Sequence, residues 1–534
     1  MSNSKPLDAL IVGAGFAGMY MLHRLKQLGL SALVVDKALD VGGTWYWNRY
    51  PGARCDIESM QYSYSFDKDL EQTWEWSERY ATQTEILSYA SAVADRYKLR
   101  GDMTFGLEVT HCQYVEAQRM WRVQAVDGDG GEQLFNARFC ILATGCLSQP
   151  NLPSFDGIDQ FSGEFYHTAY WPHDEVDFSG KRVGIIGTGS SGIQATSVIA
   201  GLAEHLTVFQ RTPNYVVPGN NRPFGAGEQE EMKSRYGELR ALAKLARNGV
   251  AQELPTQSAL EVTEGERNET YGNRWDQGGL TFIGAYTDLL LDPSANRTAA
   301  DFVRSRIREI VKDPDTANLL CPDSTFGCKR LCVDSDYFAT FNRKNVSLVD
   351  ISDTGVERIT SDGVVANSVE YPLDMIVAAT GFDAMTGAIN RINISGKDGA
   401  LLSESWKDGP VSYLGLMVAG FPNLFTITGP GSPSVLSNVL GSIEFHVEWI
   451  SECIEHMEAQ GLGVIEATEK AQSRWQREVD RVVDKTLYRT CNSWYLGVNI
   501  EGKPKSFMPF PGVPPYEKKC AEIASNNYPG FDFL

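Results

Sequence analysis

The sequence predicts an α/β fold with two parallel-sheet units and a helical insertion in the second. Three observations carry this. A pattern of strand, glycine turn, helix and strand at residues 8–36 recurs at 183–212. Two short β-prone runs, Cys140 to Gly145 and Ile376 to Gly381, both end in Ala-Thr-Gly and are suited to carry the chain between the units. From about Pro218 to Pro322 the sequence turns to charged, helix-periodic stretches.

In the first unit, Asp8 to Val12 is a strand and Gly13-Ala14-Gly15-Phe16-Ala17-Gly18 follows at once. Met19, Leu22 and Leu25 then recur at helical spacing, with Gly29 as the C-terminal cap. The next strand, Ala32 to Val35, ends in Asp36. A G-x-G-x-x-G turn between strand and helix brings backbone N–H groups and a helix N-terminus to a pyrophosphate, and an acid at the second strand end accepts from ribose hydroxyls. The turn alone is a weak signal; the whole unit makes it a dinucleotide site.

In the second unit, Val183 to Ile186 leads into Gly187-Thr188-Gly189-Ser190-Ser191-Gly192, a helix from Ile193, and the strand Leu206 to Phe209. Gln210-Arg211-Thr212 stands where the first unit has Asp36. An acid there suits a free 2′-hydroxyl and an arginine suits a 2′-phosphate. The chain therefore reads as two Rossmann-like dinucleotide-binding domains, the first for FAD and the second for NADPH. The competing reading of Arg211 is a solvated surface charge. Asp374 and Asp383 flank the second crossing and either meet the flavin or lie on the surface.

In the insertion, Met232, Tyr236 and Leu239 mark one helix; Val303, Ile307, Ile310 and Val311 mark another that stops near Asp313-Pro314. Towards the C-terminus, Ile443, Val447, Ile450, Ile454 and Met457 form one apolar stripe and Trp475, Val479, Val482 and Val483 a second. The expected division is 1–148 (FAD domain, first part), 149–217 (NADPH domain, first part), 218–325 (helical insertion), 326–380 (NADPH domain, second part) and 381–534 (FAD domain, second part).

Composition narrows the function. Lys plus Arg number 48 against 68 Asp plus Glu, a net charge of −20 in 534 residues, which speaks against general nucleic-acid binding. No apolar run reaches the ~18 residues of a membrane span, and Ala9 to Leu22 reads as part of the fold, not as a targeting segment. The ten cysteines contain no C-x-x-C, and the C-x-x-x-C of Cys328 and Cys332 has no nearby histidine. Free thiols in a reducing cytoplasm are expected, with no metal site. Without a C-x-x-C beside the flavin a dithiol reductase is disfavoured, leaving oxidases, monooxygenases and simple reductases.

Phe161-Ser162-Gly163-Glu164-Phe165-Tyr166-His167-Thr168-Ala169-Tyr170-Trp171-Pro172 decides among these. It matches F-x-G-x-x-x-H-x-x-x-W-P and resembles the fingerprint of the type I Baeyer–Villiger monooxygenase family. Gly42-Gly43-Thr44-Trp45-Tyr46-Trp47-Asn48-Arg49-Tyr50-Pro51-Gly52-Ala53-Arg54-Cys55-Asp56 fits that family's G-G-x-W-x-x-x-x-Y-P-G-x-x-x-D. The resemblance runs on through Ser493-Trp494-Tyr495 to Tyr528-Pro529-Gly530-Phe531.

The resemblance implies roles. Arg330 falls on the active-site arginine and Asp56 on the carboxylate that pairs with it. Lys329 joins Arg211 and Thr212 around the NADPH 2′-phosphate. Trp494 falls on a mobile C-terminal loop that closes over the nicotinamide. Tyr62, Val109 and Val439 fall on flavin neighbours, and Phe16, Lys37, Thr44, Trp45 and Trp47 on other cofactor-binding positions. Ser434, Val435 and Leu436, within Gly429 to Asn438, resemble a substrate-side loop. Phe161, Gly163, His167 and Trp171 control domain movement, with His167 holding the linker through hydrogen bonds. The implied cycle uses NADPH, FAD and O2 through a C4a-peroxyflavin to turn an aryl-alkyl, cyclic or steroidal ketone into an ester or lactone, with no protein partner. The rivals are an N- or S-oxygenating flavin monooxygenase and a flavin-binding sensor without turnover.

Overall fold

Two sheets organise the protein, whose computed structural model describes residues 5–534. The larger has eight strands. Its centre is the parallel set Glu132–Leu142, Leu7–Val12, Ala32–Asp36 and Met103–Phe105. Leu107–Val115 and Met120–Asp127 extend it as antiparallel neighbours, Asn393–Ser395 adds an edge, and Leu424–Thr426 pairs with Glu132–Leu142. The second sheet is parallel throughout, in the order Val346–Asp350, His205–Gln210, Arg182–Ile186, Met375–Ala378 and Glu164–His167. Ala9 to Ile11 and Val183 to Ile185 are buried on both faces, which is why these strands read as unbroken apolar runs.

Each central strand releases the chain into a glycine turn and a helix, Phe16–Gln27 or Ser190–Ile199. The two turns are built alike. A Cβ on Gly13 would lie 2.5 Å from Ala143 O, and one on Gly187 2.5 Å from Ala379 O. Each glycine turn thus packs on its own Ala-Thr-Gly segment, at φ +111° and +112°, where a side chain is excluded twice over.

Five α-helices lie between Glu228 and Leu320. The single helix expected through Met232, Tyr236 and Leu239 is two, Glu228–Ser234 and Tyr236–Leu245. Arg235 breaks it at φ −104° and ψ 6°, its guanidinium held 3.0 Å from Glu238. Asp313-Pro314 ends one helix and begins another. Asp313 caps Pro314–Leu320 by accepting from the Thr316 N–H at 2.8 Å, with proline in the first turn.

The two C-terminal stripes lie on Val439–Gln460 and Glu469–Val483. A further helix, Val513–Ser525, packs beside the first; Trp449 Nε1 donates to Cys520 O at 3.1 Å. Asp374 takes the Arg182 guanidinium at 2.8 Å and Asp383 takes Lys503, so each acid already has a protein partner.

One expectation is corrected. Cys328 and Cys491 form a disulfide, with Cα atoms 6.3 Å apart, while the other eight cysteines are free. The pair is separated by 163 residues and becomes adjacent only through folding. Among the described residues no helix is long and apolar enough to cross a membrane, and no cluster of His, Cys, Asp and Glu could hold a metal ion.

Candidate active site

A cavity of ≈ 1360 Å³ opens between the two units, with both glycine turns on its wall. It exceeds the roughly 300–1,000 Å³ of an ordinary small-ligand pocket. The helices Phe16–Gln27 and Ser190–Ile199 begin at this wall, and neither has a side-chain cap at Gly15 or Gly189. Their first-turn N–H groups are open to an anion. A Cβ on Gly189 would meet no protein atom within 4 Å, so that space belongs to the cavity. This is the cradle that two dinucleotide phosphate groups need.

At the first turn, Asp36 lines the cavity. Its carboxylate accepts from the Ala14 N–H at 2.6 Å and the Ala38 N–H at 2.7 Å. Burial pushes its pKa up, and those two donors and Lys37 work against that. Thr44, Trp45, Trp47, Tyr62, Val109 and Val439 share this wall. Trp45 Nε1 donates to the Tyr62 hydroxyl at 3.1 Å, and Lys37 Nζ lies 5.6 Å from the Trp47 ring. Burial raises the Tyr62 pKa, so its phenol stays neutral.

At the second turn the wall is cationic. Arg211, Thr212 and Lys329 line it beside Gly187, Thr188 and Ser190. Thr188 Oγ1 donates to Thr212 O at 2.8 Å, fixing turn and strand end together. Burial, then the neighbouring Arg211, pulls the Lys329 pKa down. Two cations held this close favour an anion between them.

Between the turns stand Arg330 and Asp56. Nε–H and Nη2–H of Arg330 both reach the carboxylate, the second at 2.9 Å. Nη1 donates to Val435 O at 2.6 Å, with Ser437 O at 3.5 Å. Of the five guanidinium N–H groups, one on Nη2 is left for a ligand. Burial opposes the charge of Arg330, but Asp56 outweighs it and holds the pKa above the ordinary arginine value.

Not every expected residue reaches the wall. Gly18 and Gly192 pack against their own turns: a Cβ there would sit 1.8 Å from Gly13 O and 2.1 Å from Gly187 O. Of the substrate-side loop, Val435 faces the cavity, Ser434 is fully buried with its hydroxyl 3.6 Å from Met385 Sδ, and Leu436 is half-buried against the core.

The fingerprint residues lie behind the wall. His167 Nδ1 accepts from the Ala169 N–H at 3.1 Å, so Nε2–H faces Thr380 Oγ1 at 3.1 Å. Thr380 donates onward to Asn151 O at 2.6 Å. The imidazole is neutral, its pKa lowered by burial, and it ties the strand Glu164–His167 to the second Ala-Thr-Gly crossing. Trp171 is a core residue between Tyr166 and Phe178, at ring distances of 5.2 and 6.3 Å. Phe161 packs under the same sheet, and a Cβ on Gly163 would lie 2.3 Å from Asp374 O.

The profile of the pyridine nucleotide-disulphide oxidoreductase family matches residues 10–222. The phenazine N-monooxygenase PhzNO1 of Lysobacter antibioticus is 41% identical over 529 residues, covering 98% of this chain and 96% of that protein. A Baeyer–Villiger monooxygenase of Pseudooceanicola batsensis is 39% identical over 526 residues, covering 98% of this chain and 95% of its own. A solved structure of oxidised steroid monooxygenase bound to NADP superposes with a TM-score of 0.94 at 47% identity, over 99% of this chain and 100% of that one. The chain belongs to the Baeyer–Villiger monooxygenase family.

In this Baeyer–Villiger monooxygenase the segment carrying Trp494 forms part of the cavity wall, and what fastens it was missed in the sequence. Cys491 is bonded to Cys328, and Thr325 Oγ1 meets Thr490 Oγ1 at 2.8 Å. Asn499 Nδ2 donates to Phe382 O at 2.8 Å. Lys503 bonds Asp383 and donates to Ala384 O at 2.8 Å. No spacing rule links positions more than 100 residues apart, so no local signal marked these ties.

Proposed function

We infer that this chain is an FAD- and NADPH-dependent monooxygenase that inserts one atom of O2 beside a ketone carbonyl, giving an ester or lactone. The observation that carries the reading is the Arg330–Asp56 pair on the wall between two dinucleotide cradles. We assign FAD to Gly13, Gly15, Phe16, Asp36, Lys37, Thr44, Trp45, Trp47, Tyr62, Val109 and Val439, and NADPH to Gly187 through Ser190, Arg211, Thr212 and Lys329. The FAD domain is assigned to 1–148 and 381–534, and the NADPH domain to 149–217 and 326–380 with its insertion 218–325.

When bound, FAD supplies acceptance of hydride from NADPH and activation of O2. The residues supply the rest. Oxygen insertion places negative charge first on the transferred oxygen and then on the former carbonyl oxygen. Arg330 holds that charge with its uncommitted Nη2–H and, as a guanidinium, does not surrender a proton to it. Asp56 and the Val435 carbonyl fix the plane of the fork, so no reorganisation is needed when charge develops. The Trp494 segment excludes water from the same wall.

Ile57, Val435, Val439 and Ile443 offer an apolar surface near Arg330, which suits an aryl-alkyl, cyclic or steroidal ketone. We place the protein in the cytoplasm, a reading supported by eight cysteines kept as thiols. N-oxygenation is the second reading, favoured by the phenazine N-monooxygenase relative.

A panel of ketones and N-heteroaromatics, followed by NADPH consumption and product identification, separates the two. Ketone-stimulated consumption with ester formation is expected. N-oxide from the heteroaromatics and no ester from any ketone would overturn the inference.

A further inference from the structure

We propose that Cys328 and Cys491 are a thiol–disulfide modification site that responds to hydrogen peroxide and fastens the Trp494 segment to the Arg330 wall. The proposal rests on the monooxygenase reading, because NADPH oxidation by O2 without ketone oxygenation yields hydrogen peroxide.

Position is the first argument. Cys328 directly precedes Lys329 and Arg330 and is 1% exposed. Cys491 stands three residues before Trp494, is half-buried, and lines the cavity. Their bond joins the strip that carries Arg330 to the strip that carries Trp494, and both strips line the same cavity. The other ties of the Trp494 segment, at Thr325, Phe382 and Asp383, are hydrogen bonds and an ion pair, so the disulfide is its covalent tie to the Arg330 strip.

Contrast with the other cysteines is the second argument. Cys55, Cys146 and Cys332 also line the cavity. None of the three has a bonded partner. A single disulfide in a chain of thiols is not a framework that holds a fold; in a reducing compartment such bonds are characteristically transient.

The chemistry balances. The Cys491 thiolate attacks one oxygen of hydrogen peroxide, the O–O bond breaks, and hydroxide leaves and is protonated to water. Cys491 is then a sulfenic acid. The Cys328 sulfur attacks the Cys491 sulfur and loses its proton, and the S–OH bond breaks to release a second water. Two thiols and one peroxide give a disulfide and two waters, with two electrons taken from sulfur. A dithiol reverses the step by exchange through a mixed disulfide. In the oxidised state the Trp494 segment is pinned, and the nucleotide behind it exchanges slowly.

The test uses the FAD holoenzyme, reduced with dithiothreitol, desalted, and titrated with hydrogen peroxide without NADPH. Peptide mass spectrometry reads the Cys328–Cys491 cross-link, and rapid-mixing displacement reads the release of bound NADP+. Oxidation is expected to form the cross-link and to slow release by about fivefold or more, and dithiothreitol to reverse both. Cys328→Ser and Cys491→Ser should each abolish the response to peroxide. A bond that dithiothreitol does not reduce in the native enzyme, a cross-link that never forms, or one that leaves release unchanged overturns the proposal. These readouts use added peroxide and no ketone, so they stand or fall apart from ester formation, which reduced enzyme reports separately.

Discussion

Arg330 and Asp56 are 274 positions apart in the chain and meet through two N–H···O bonds, with the Val435 carbonyl bracing the far side of the guanidinium at 2.6 Å. A cation fixed on two sides cannot swing away from charge that develops in front of it.

Arg330→Ala should therefore abolish most oxygen insertion while leaving FAD bound. Loss of a preorganised donor to a developing anion costs about 10²–10³ in rate. Arg330→Lys should recover little, since a flexible ammonium cannot hold Asp56 and the Val435 carbonyl in one plane. Ester yield and flavin reduction by NADPH, measured separately, check this. Wild-type ester yield in the alanine variant sinks the assignment.

Arg211 and Lys329 predict the nucleotide preference. Losing one or two charge-assisted hydrogen bonds, at about 1.5–3 kcal/mol each, gives NADPH at least about a tenfold advantage over NADH. Arg211→Ala should narrow that ratio. The pH dependence has a definite sign. Burial and Arg211 lower the Lys329 pKa, so its charge is lost at a lower pH than that of an ordinary lysine. KM for NADPH should rise as pH climbs through that value, while KM for NADH stays level. Removing Arg211 takes away a cause of the lowering and should move the rise to higher pH. Parallel profiles for the two nucleotides would contradict the assignment.

His167 is bonded at both ring nitrogens, one to the Ala169 N–H in the turn after its strand and one to Thr380 at the crossing between units. His167→Ala should lower kcat with FAD retained, because the crossing loses its tie. Trp171 needs a milder change. It is 7% exposed within the core of the second unit, and truncation to alanine would cost about 3–5 kcal/mol. Trp171→Phe keeps most of that packing. Steady-state kinetics unchanged in both His167→Ala and Trp171→Phe would return the fingerprint to a purely structural role.

The glycine turns were legible because sterics leave no choice: Gly13 and Gly187 sit under a carbonyl oxygen at positive φ. The apolar stripes were legible because burial repeats with the helix period. The Arg330–Asp56 pair was legible through family resemblance alone, since nothing local marks a partner 274 positions away. Nothing marked the Cys328–Cys491 or Lys503–Asp383 ties. The helix Val513–Ser525 was hidden by Pro514 and Pro515, which look like breakers. They fit because the first helical turn has no N–H partners to lose.

Glu444 supplies a test of stability against pH. It sits on Val439–Gln460, 7% exposed. One oxygen accepts from the Ser65 and Phe66 N–H groups at 2.6 and 3.0 Å, and the other takes the Ser65 hydroxyl at 2.8 Å. Burial pushes its pKa up to about 7, with Glu448 adding to the rise and Ser65 and Arg240 opposing it. The folded state therefore keeps a proton that the unfolded chain releases from about pH 4.5 upward. The stability this proton provides is complete below that pH, is lost as pH rises to about 7, and changes no further above it. At about 1.4 kcal/mol per pKa unit the loss is on the order of 3 kcal/mol. Glu444→Gln should remove the dependence without removing the contacts. Its amide oxygen still accepts from both N–H groups, and its NH2 donates to the Ser65 oxygen. With FAD saturating, the two proteins should melt together near pH 4.5, and the variant should melt higher by several degrees at pH 8. A difference in Tm that stays constant from pH 4.5 to 8 would show that Glu444 carries no proton across this window.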